Sequence, residues 1–143
     1  MRLHRTTLAL AAALLPARVF AQELGIDVTR HVDCTRKTKH GDYVLMNYKG
    51  TLQKDGSQFD SSYDRGSPFR FKLGTGQVIQ GWDEGLLDMC PGEARKLTIP
   101  PEYGYGNSAS GPIPGGSTLS MYREAVAWEV ADQYSLRHGT HGD

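Results

Sequence analysis

The stretch from Leu73 to Glu93, LGTGQVIQGWDEGLLDMCPGE, constrains the chain most, because it sets three glycines and one helical face around a single tryptophan. Glycine takes positive φ without a Cβ clash, so Gly74, Gly76 and Gly81 are expected to allow tight turns around Val78 and Ile79. Ile79, Trp82, Leu86 and Met89 recur at i, i+3, i+7 and i+10. That spacing predicts a short helix with these four on one face, while Asp83, Glu84 and Asp88 fall elsewhere. Taken alone, Trp82 at such a position reads as a core anchor. The aromatic residues before and after it make it a candidate floor for a bound group.

Strand patterns surround this helix. Leu24, Ile26 and Val28 alternate with Gly25, Asp27 and Thr29, the period of a half-buried strand. Residues 34–42, CTRKTKHGD, read as a solvated polar loop closed by Gly41-Asp42. From Tyr43 to Leu52 a longer strand is apolar on both faces, with Val44, Met46 and Tyr48 on one and Leu45 on the other, which predicts a place inside the sheet. Asp55-Gly56 predicts a hairpin turn before Phe59, and Ser61 to Ser67 a bulge or loop. Phe69, Phe71 and Leu73 alternate with Arg70 and Lys72 as the clearest strand, and Leu97 and Ile99 with Lys96 and Thr98 as another. Residues 100–118, PPEYGYGNSASGPIPGGST, form a loop too long for a plain connection, and long loops in compact domains are functional or disordered. Tyr103, Tyr105 and Ile113 argue against disorder. Strands dominate around a single helix, so the fold class is α+β with a twisted, mainly antiparallel sheet.

The ends bound location and partners. Arg2 and Arg5, the apolar run Leu8 to Leu15 and the small residues Val19 and Ala21 form a secretory signal peptide over residues 1–21. The run is about half the roughly 20 residues a membrane span needs, so no membrane attachment is expected after cleavage. Removing residues 1–21 takes away three arginines and no acid, leaving 13 basic and 16 acidic side chains, a formal charge of −3. That is no nucleic-acid footprint. The 38% of hydrophobic residues supports one modest core.

Three ordered fragments, NYKGTLQKDGSQFDSSYDRGSPFRFKLGTGQVIQGWDEGLLDM, GEARKLTIPPEYGYG and PIPGGSTL, closely resemble the FKBP-type peptidyl-prolyl cis-trans isomerases, the macrolide-binding immunophilins. The resemblance covers residues 41–119, preceded by an N-terminal strand and loop over 22–40, and it implies a twisted sheet wrapped around the Trp82 helix. It also implies a prolyl ring over Trp82, donation from the Ile79 backbone N–H and the Tyr105 hydroxyl to substrate carbonyls, and an Asp60–Arg65 pair shaping the rim. In that pairing Asp60 faces the twisting carbonyl; a purely fold-stabilising ion pair is the alternative. Tyr48, Asp60, Ile79, Trp82 and Tyr105 are the candidate catalytic residues, with Phe59, Arg65, Phe69, Val78, Ile113 and Met121 as substrate contacts. An even cysteine count in a secreted chain favours a disulfide, and the family's secretory branch implies that Cys34 and Cys90 form it.

The implied reaction is proline isomerisation. Twisting the C–N bond breaks amide resonance over a barrier of ~18–20 kcal/mol, and the twisted amide is less polar at its carbonyl than the planar one. An aromatic, water-poor pocket therefore favours the twisted state by differential binding, and no metal or cofactor is required. Proline-containing polypeptide clients are the expected partners, with macrolides such as rapamycin or tacrolimus by resemblance, acting on a monomer in the endoplasmic reticulum lumen or secreted. Gly74-x-Gly76 lacks dinucleotide spacing, and His138-x-x-His141 stands without HExxH or CxxC in a polar tail.

Residues 120–143, SMYREAVAWEVADQYSLRHGTHGD, depart from the family's apolar closing strand, and Met121 stands where the family has a pocket aromatic. A strand is expected from Thr118 to about Ala127, against a helix as rival, with a frayed tail beyond Asp132. Two further readings stay open: a proline- or macrolide-binding module without turnover, and an isoform with an impaired last strand.

Overall fold

Period-2 alternation builds nearly all of the regular structure in this computed structural model, which describes residues 9–16 and 22–129. In chain order the elements are β1 (Gly25–Arg30), β2 (Tyr43–Leu52), β3 (Gln58–Ser61), α1 (Ser62–Arg65), β4 (Phe69–Lys72), α2 (Gln80–Gly85), β5 (Ala94–Ile99) and β6 (Leu119–Glu129). A single 3₁₀ turn, Pro101–Tyr103, opens the long loop. The strands form one antiparallel sheet in the order β1-β5-β6-β2-β3, with β4 also pairing β2. This is the expected α+β class.

The last strand is present. β6 lies between β5 and β2 and pairs with both, from Leu119↔Leu52 and Leu119↔Ile99 onward. It runs one residue shorter at its start and two longer at its end than the expected Thr118–Ala127. A bulge shifts the β2–β6 register between Leu45 and Met46, opposite Ala127 and Ala125. Before it, Leu119, Met121, Arg123 and Ala125 point into the core and Tyr122 points out. The expected frayed tail lies outside the described residues.

Several expectations are corrected. β1 is exposed from Ile26 to Arg30 rather than half-buried, because it is a sheet edge paired with β5 and reaches past the core. The 34–42 loop is solvated at Thr35, Lys37, Lys39 and His40, as expected, but it also buries Thr38 and Asp42. Thr38 Oγ1 donates to the Leu86 carbonyl at 2.7 Å and accepts from the Met89 amide at 2.9 Å, while Asp42 pairs with Arg36 and accepts from the Lys39 amide at 2.8 Å. Residues after Ser61 form not a bulge but the short α1, whose N-cap Ser61 accepts from the Tyr63 amide.

α2 ends at Gly85, so Met89 lies past the helix although it is fully buried beside Leu86. Gly74 and Gly76 do take positive φ, 77° and 76°, and both amides donate to the Asp83 carboxylate. Gly81 has another reason to be glycine. A Cβ there would come within 2.7 Å of Ile99 Cγ2, so its bare backbone lets α2 press onto β5. The core between them joins Val44, Met46, Leu73, Leu86, Leu97 and Leu119. Cys34 and Cys90 are bridged across 56 residues, tying the loop before β2 to the turn after α2.

Candidate functional site

The concave side of the sheet and the start of α2 enclose a cavity of ≈450 Å³. Its lining comes from β2 (Tyr48), β3 (Phe59, Asp60), α1 (Arg65), β4 (Phe69), the turn into α2 (Val78, Ile79), α2 itself (Trp82), the long loop (Tyr105) and β6 (Met121). Ten of the eleven nominated site residues therefore converge from eight different parts of the chain. Ile113 does not line the cavity; it is buried in the core, where its amide and carbonyl pair with Ser110. Gln77 and Leu119 line it without having been nominated. Leu119 was legible as the residue two before Met121 on the same strand face. Gln77 gave no pattern.

Aromatic edges fix the tryptophan. Tyr48 and Phe69 meet Trp82 edge to face, with centroids 5.2 and 6.0 Å away, and Phe71 supports it at 5.7 Å. Such arrangements match the ring quadrupoles and add about 0.5–1.5 kcal/mol per pair beyond burial. Close approach on the sheet side depends on Gly50. A Cβ at that position would lie 2.6 Å from Phe59 Cζ and 2.8 Å from Met121 Sδ, so this glycine leaves room for two lining side chains.

The polar rim is a three-residue network. Tyr48 Oη donates to Asp60 Oδ2, Arg65 donates to Asp60 Oδ1 and to Tyr48 Oη at 2.5 Å each, and the Ser61 amide donates to Asp60 at 2.8 Å. Partial burial pushes the Asp60 carboxyl up, but the Tyr48, Arg65 and Ser61 donors outweigh it, and its pKa ends below the ordinary value. Burial, then the bond to Asp60, pushes the Tyr48 phenol up, so it stays a donor at neutral pH. Asp60 and Arg65 are each nearly half exposed, as suits a pair at the rim. Ile79 precedes α2 as its N-cap, its carbonyl accepting from Trp82 at 2.9 Å, and Tyr105 stands at the mouth, 41% exposed.

Beneath this floor lies a charged residue of β6. Arg123 is fully buried, its Cζ 2.8 Å from the Trp82 ring centroid and 4.4 Å from that of Tyr48. None of its three side-chain nitrogens has a hydrogen-bond partner among the described residues, and Trp82 Nε1 is likewise unpartnered. Arg95, opposite Arg123 on β5, is buried differently. It pairs with Glu93 at 2.6 Å and donates to the carbonyls of Gly85, Leu87 and Asp88 at 2.8–3.0 Å, closing the end of α2.

Among the described residues no group of three or more potential ligands could hold a metal ion. The arrangement offers instead an apolar floor, aromatic walls and a few donors at the margin, the composition of a small-molecule or side-chain pocket.

Comparison with known proteins adds the following. Residues 34–121 match the family described as FKBP-type peptidyl-prolyl cis-trans isomerase. "FK506-binding protein 2" of Emericella nidulans is 64% identical over 109 residues, covering 76% of this chain and 81% of that protein. Its namesake from Aspergillus oryzae is 68% identical over 106 residues, 74% of this chain and 79% of that one. The crystal structure of AtFKBP13 superposes with a TM-score of 0.68 at 34% identity, over 74% of this chain and 93% of the other.

Proposed function

The chain belongs to the FKBP-type peptidyl-prolyl cis-trans isomerase family, and from that premise we propose that the cavity over Trp82 is where the proline amide turns. The carrying observation is the ≈450 Å³ cavity walled by Tyr48, Phe59, Phe69 and Trp82. A prolyl ring seated on Trp82 brings its amide into a space that replaces water by aromatic faces. The planar amide, with the more polar carbonyl, loses more hydration there than the twisted one, so the barrier falls without any covalent step. Ile79 N–H and Tyr105 Oη hold flanking carbonyls. Asp60, kept ionised and fixed by Tyr48 and Arg65, holds its carboxylate at the rim as the negative end of a fixed, neutral ion pair.

The same cavity accounts for macrolide binding, with rapamycin or tacrolimus as the ligands to try. The clients are proline-containing segments of proteins folding in the secretory pathway. That placement is supported by the leader pattern of residues 1–21 and by the Cys34–Cys90 disulfide, a bond that persists in oxidising compartments. In residues 9–16, Leu10, Leu14 and Leu15 are almost fully exposed, in keeping with a leader that packs on no core.

The test is a protease-coupled or NMR-exchange isomerisation assay on the purified protein. Trp82→Ala is expected to lower both kcat/KM and macrolide affinity at least tenfold. Truncating a buried tryptophan also costs about 3–5 kcal/mol of stability, so circular dichroism of the variant accompanies the assay. A folded Trp82→Ala protein with full activity and affinity would remove the cavity from the mechanism.

A further inference from the structure

Three charged side chains surround the cavity: Asp60 and Arg65 at the rim, and Arg123 behind the floor. The rim pair is neutral as a unit. Arg123 has no counter-charge within hydrogen-bonding reach among the described residues, and it does not line the cavity, so Trp82 and Tyr48 stand between its guanidinium and any ligand. Burial drives its pKa well down, opposed by Tyr48, Asp60 and Tyr105, yet a guanidinium keeps its proton at neutral pH.

We infer that Arg123 makes the cavity selective by charge, favouring proline segments with an acidic residue next to the proline and disfavouring basic ones, a specificity that rests on the isomerase reading of this site. Two physical effects act in the same direction. A cation shielded from water by protein projects its field into the cavity with little screening, since intervening rings and core hold no mobile ions. A cation pressed against one face of an indole also draws on its π electrons, leaving the opposite face less attractive to a second positive charge. Rim charges would discriminate too, but their influence fades with salt because they stand in solvent. Arg65 is further compensated by Asp60.

At an effective dielectric of about 20, a unit charge roughly 10 Å from Arg123 is favoured by about tenfold, and partial hydration of the ligand brings the expectation to between about threefold and tenfold. The experiment compares isomerisation of two peptides that differ only in Glu-Pro or Gln-Pro, an isosteric pair differing by one charge, with Lys-Pro and Leu-Pro as references. In the unaltered protein the Glu/Gln ratio of kcat/KM is expected at about threefold to tenfold, with Lys-Pro below Leu-Pro, and the ratio should persist at about 0.5 M salt. Arg123→Met should bring the ratio to about one while Leu-Pro turnover continues. A ratio near one in the unaltered protein, or the same ratio in Arg123→Met, overturns the inference. If no peptide is isomerised, the function proposed above fails, and the Glu/Gln ratio of peptide dissociation constants, read by NMR titration, decides this inference on its own. A cavity that binds neither peptide overturns both.

Discussion

Replacing Arg123 by methionine is expected to stabilise the protein, which is unusual for a substitution in a buried strand. The guanidinium is fully buried with three unpartnered nitrogens, and an uncompensated buried charge costs about 3–5 kcal/mol. Contact with Trp82 and Tyr48 offsets part of this, since a desolvated cation–π interaction contributes about 2 kcal/mol. That offset is reduced by crowding, because Cζ sits 2.8 Å from the indole centroid, inside the ~3.5–4.0 Å optimum for carbon contacts. The balance leaves Arg123 unfavourable by about 1–3 kcal/mol relative to an apolar side chain of its length. Methionine is unbranched and fills irregular space, so it needs no new room. For a domain of this size the gain corresponds to a rise in Tm of about 4–12 °C. Arg95→Met supplies the opposite arm. It strands Glu93 and three carbonyls, and breaking a buried pair from one side costs about 3–5 kcal/mol. Thermal and urea unfolding of both variants, followed by circular dichroism, makes the measurement. If Arg123→Met melts at or below the unaltered protein, or both substitutions move Tm the same way, the reasoning fails.

Non-reducing peptide mapping should recover one linked pair containing Cys34 and Cys90, and reduction should cost roughly 4 kcal/mol on the chain-entropy account of a loop this long; two alkylatable thiols in native material would contradict it. Asp60 titrates below its unfolded value, so the rim network's contribution is complete above the ordinary carboxylate pKa of about 4 and is lost as pH falls through the lower folded value. The acid limb of kcat/KM should therefore lie below about pH 4 and change in Asp60→Asn; an acid limb centred above the ordinary value would reverse the sign. Gly50→Ala forces a Cβ onto Phe59 and Met121, so urea unfolding should show a loss of about 1–3 kcal/mol, together with weaker macrolide binding; an unchanged midpoint would mean that both side chains move aside freely.

The local pattern of the residues determined much of this protein. Alternation placed β2, β4 and β5, the helical spacing of Ile79, Trp82 and Leu86 placed α2, and ordered family fragments brought ten of the eleven nominated site residues to one cavity. These features are short-range, so neighbouring residues suffice to specify them. Burial at β6 is different in kind. Local pattern gives no reason to bury Arg123, a charge beside Glu124, yet β6 pairs on both sides, and the register Arg123↔Tyr48 and Arg123↔Arg95 commits it to the core. Two rows of backbone hydrogen bonds outweigh one unfavourable side chain, because a slip by one residue would turn every side chain of the strand to the wrong face. The same holds for Ile113, withdrawn from the cavity by its pairing with Ser110, and for Thr38 and Asp42, drawn inside by carbonyls, amides and a guanidinium from elsewhere in the fold. Which polar groups are buried depends on partners distant in the chain, and tertiary structure alone decides that.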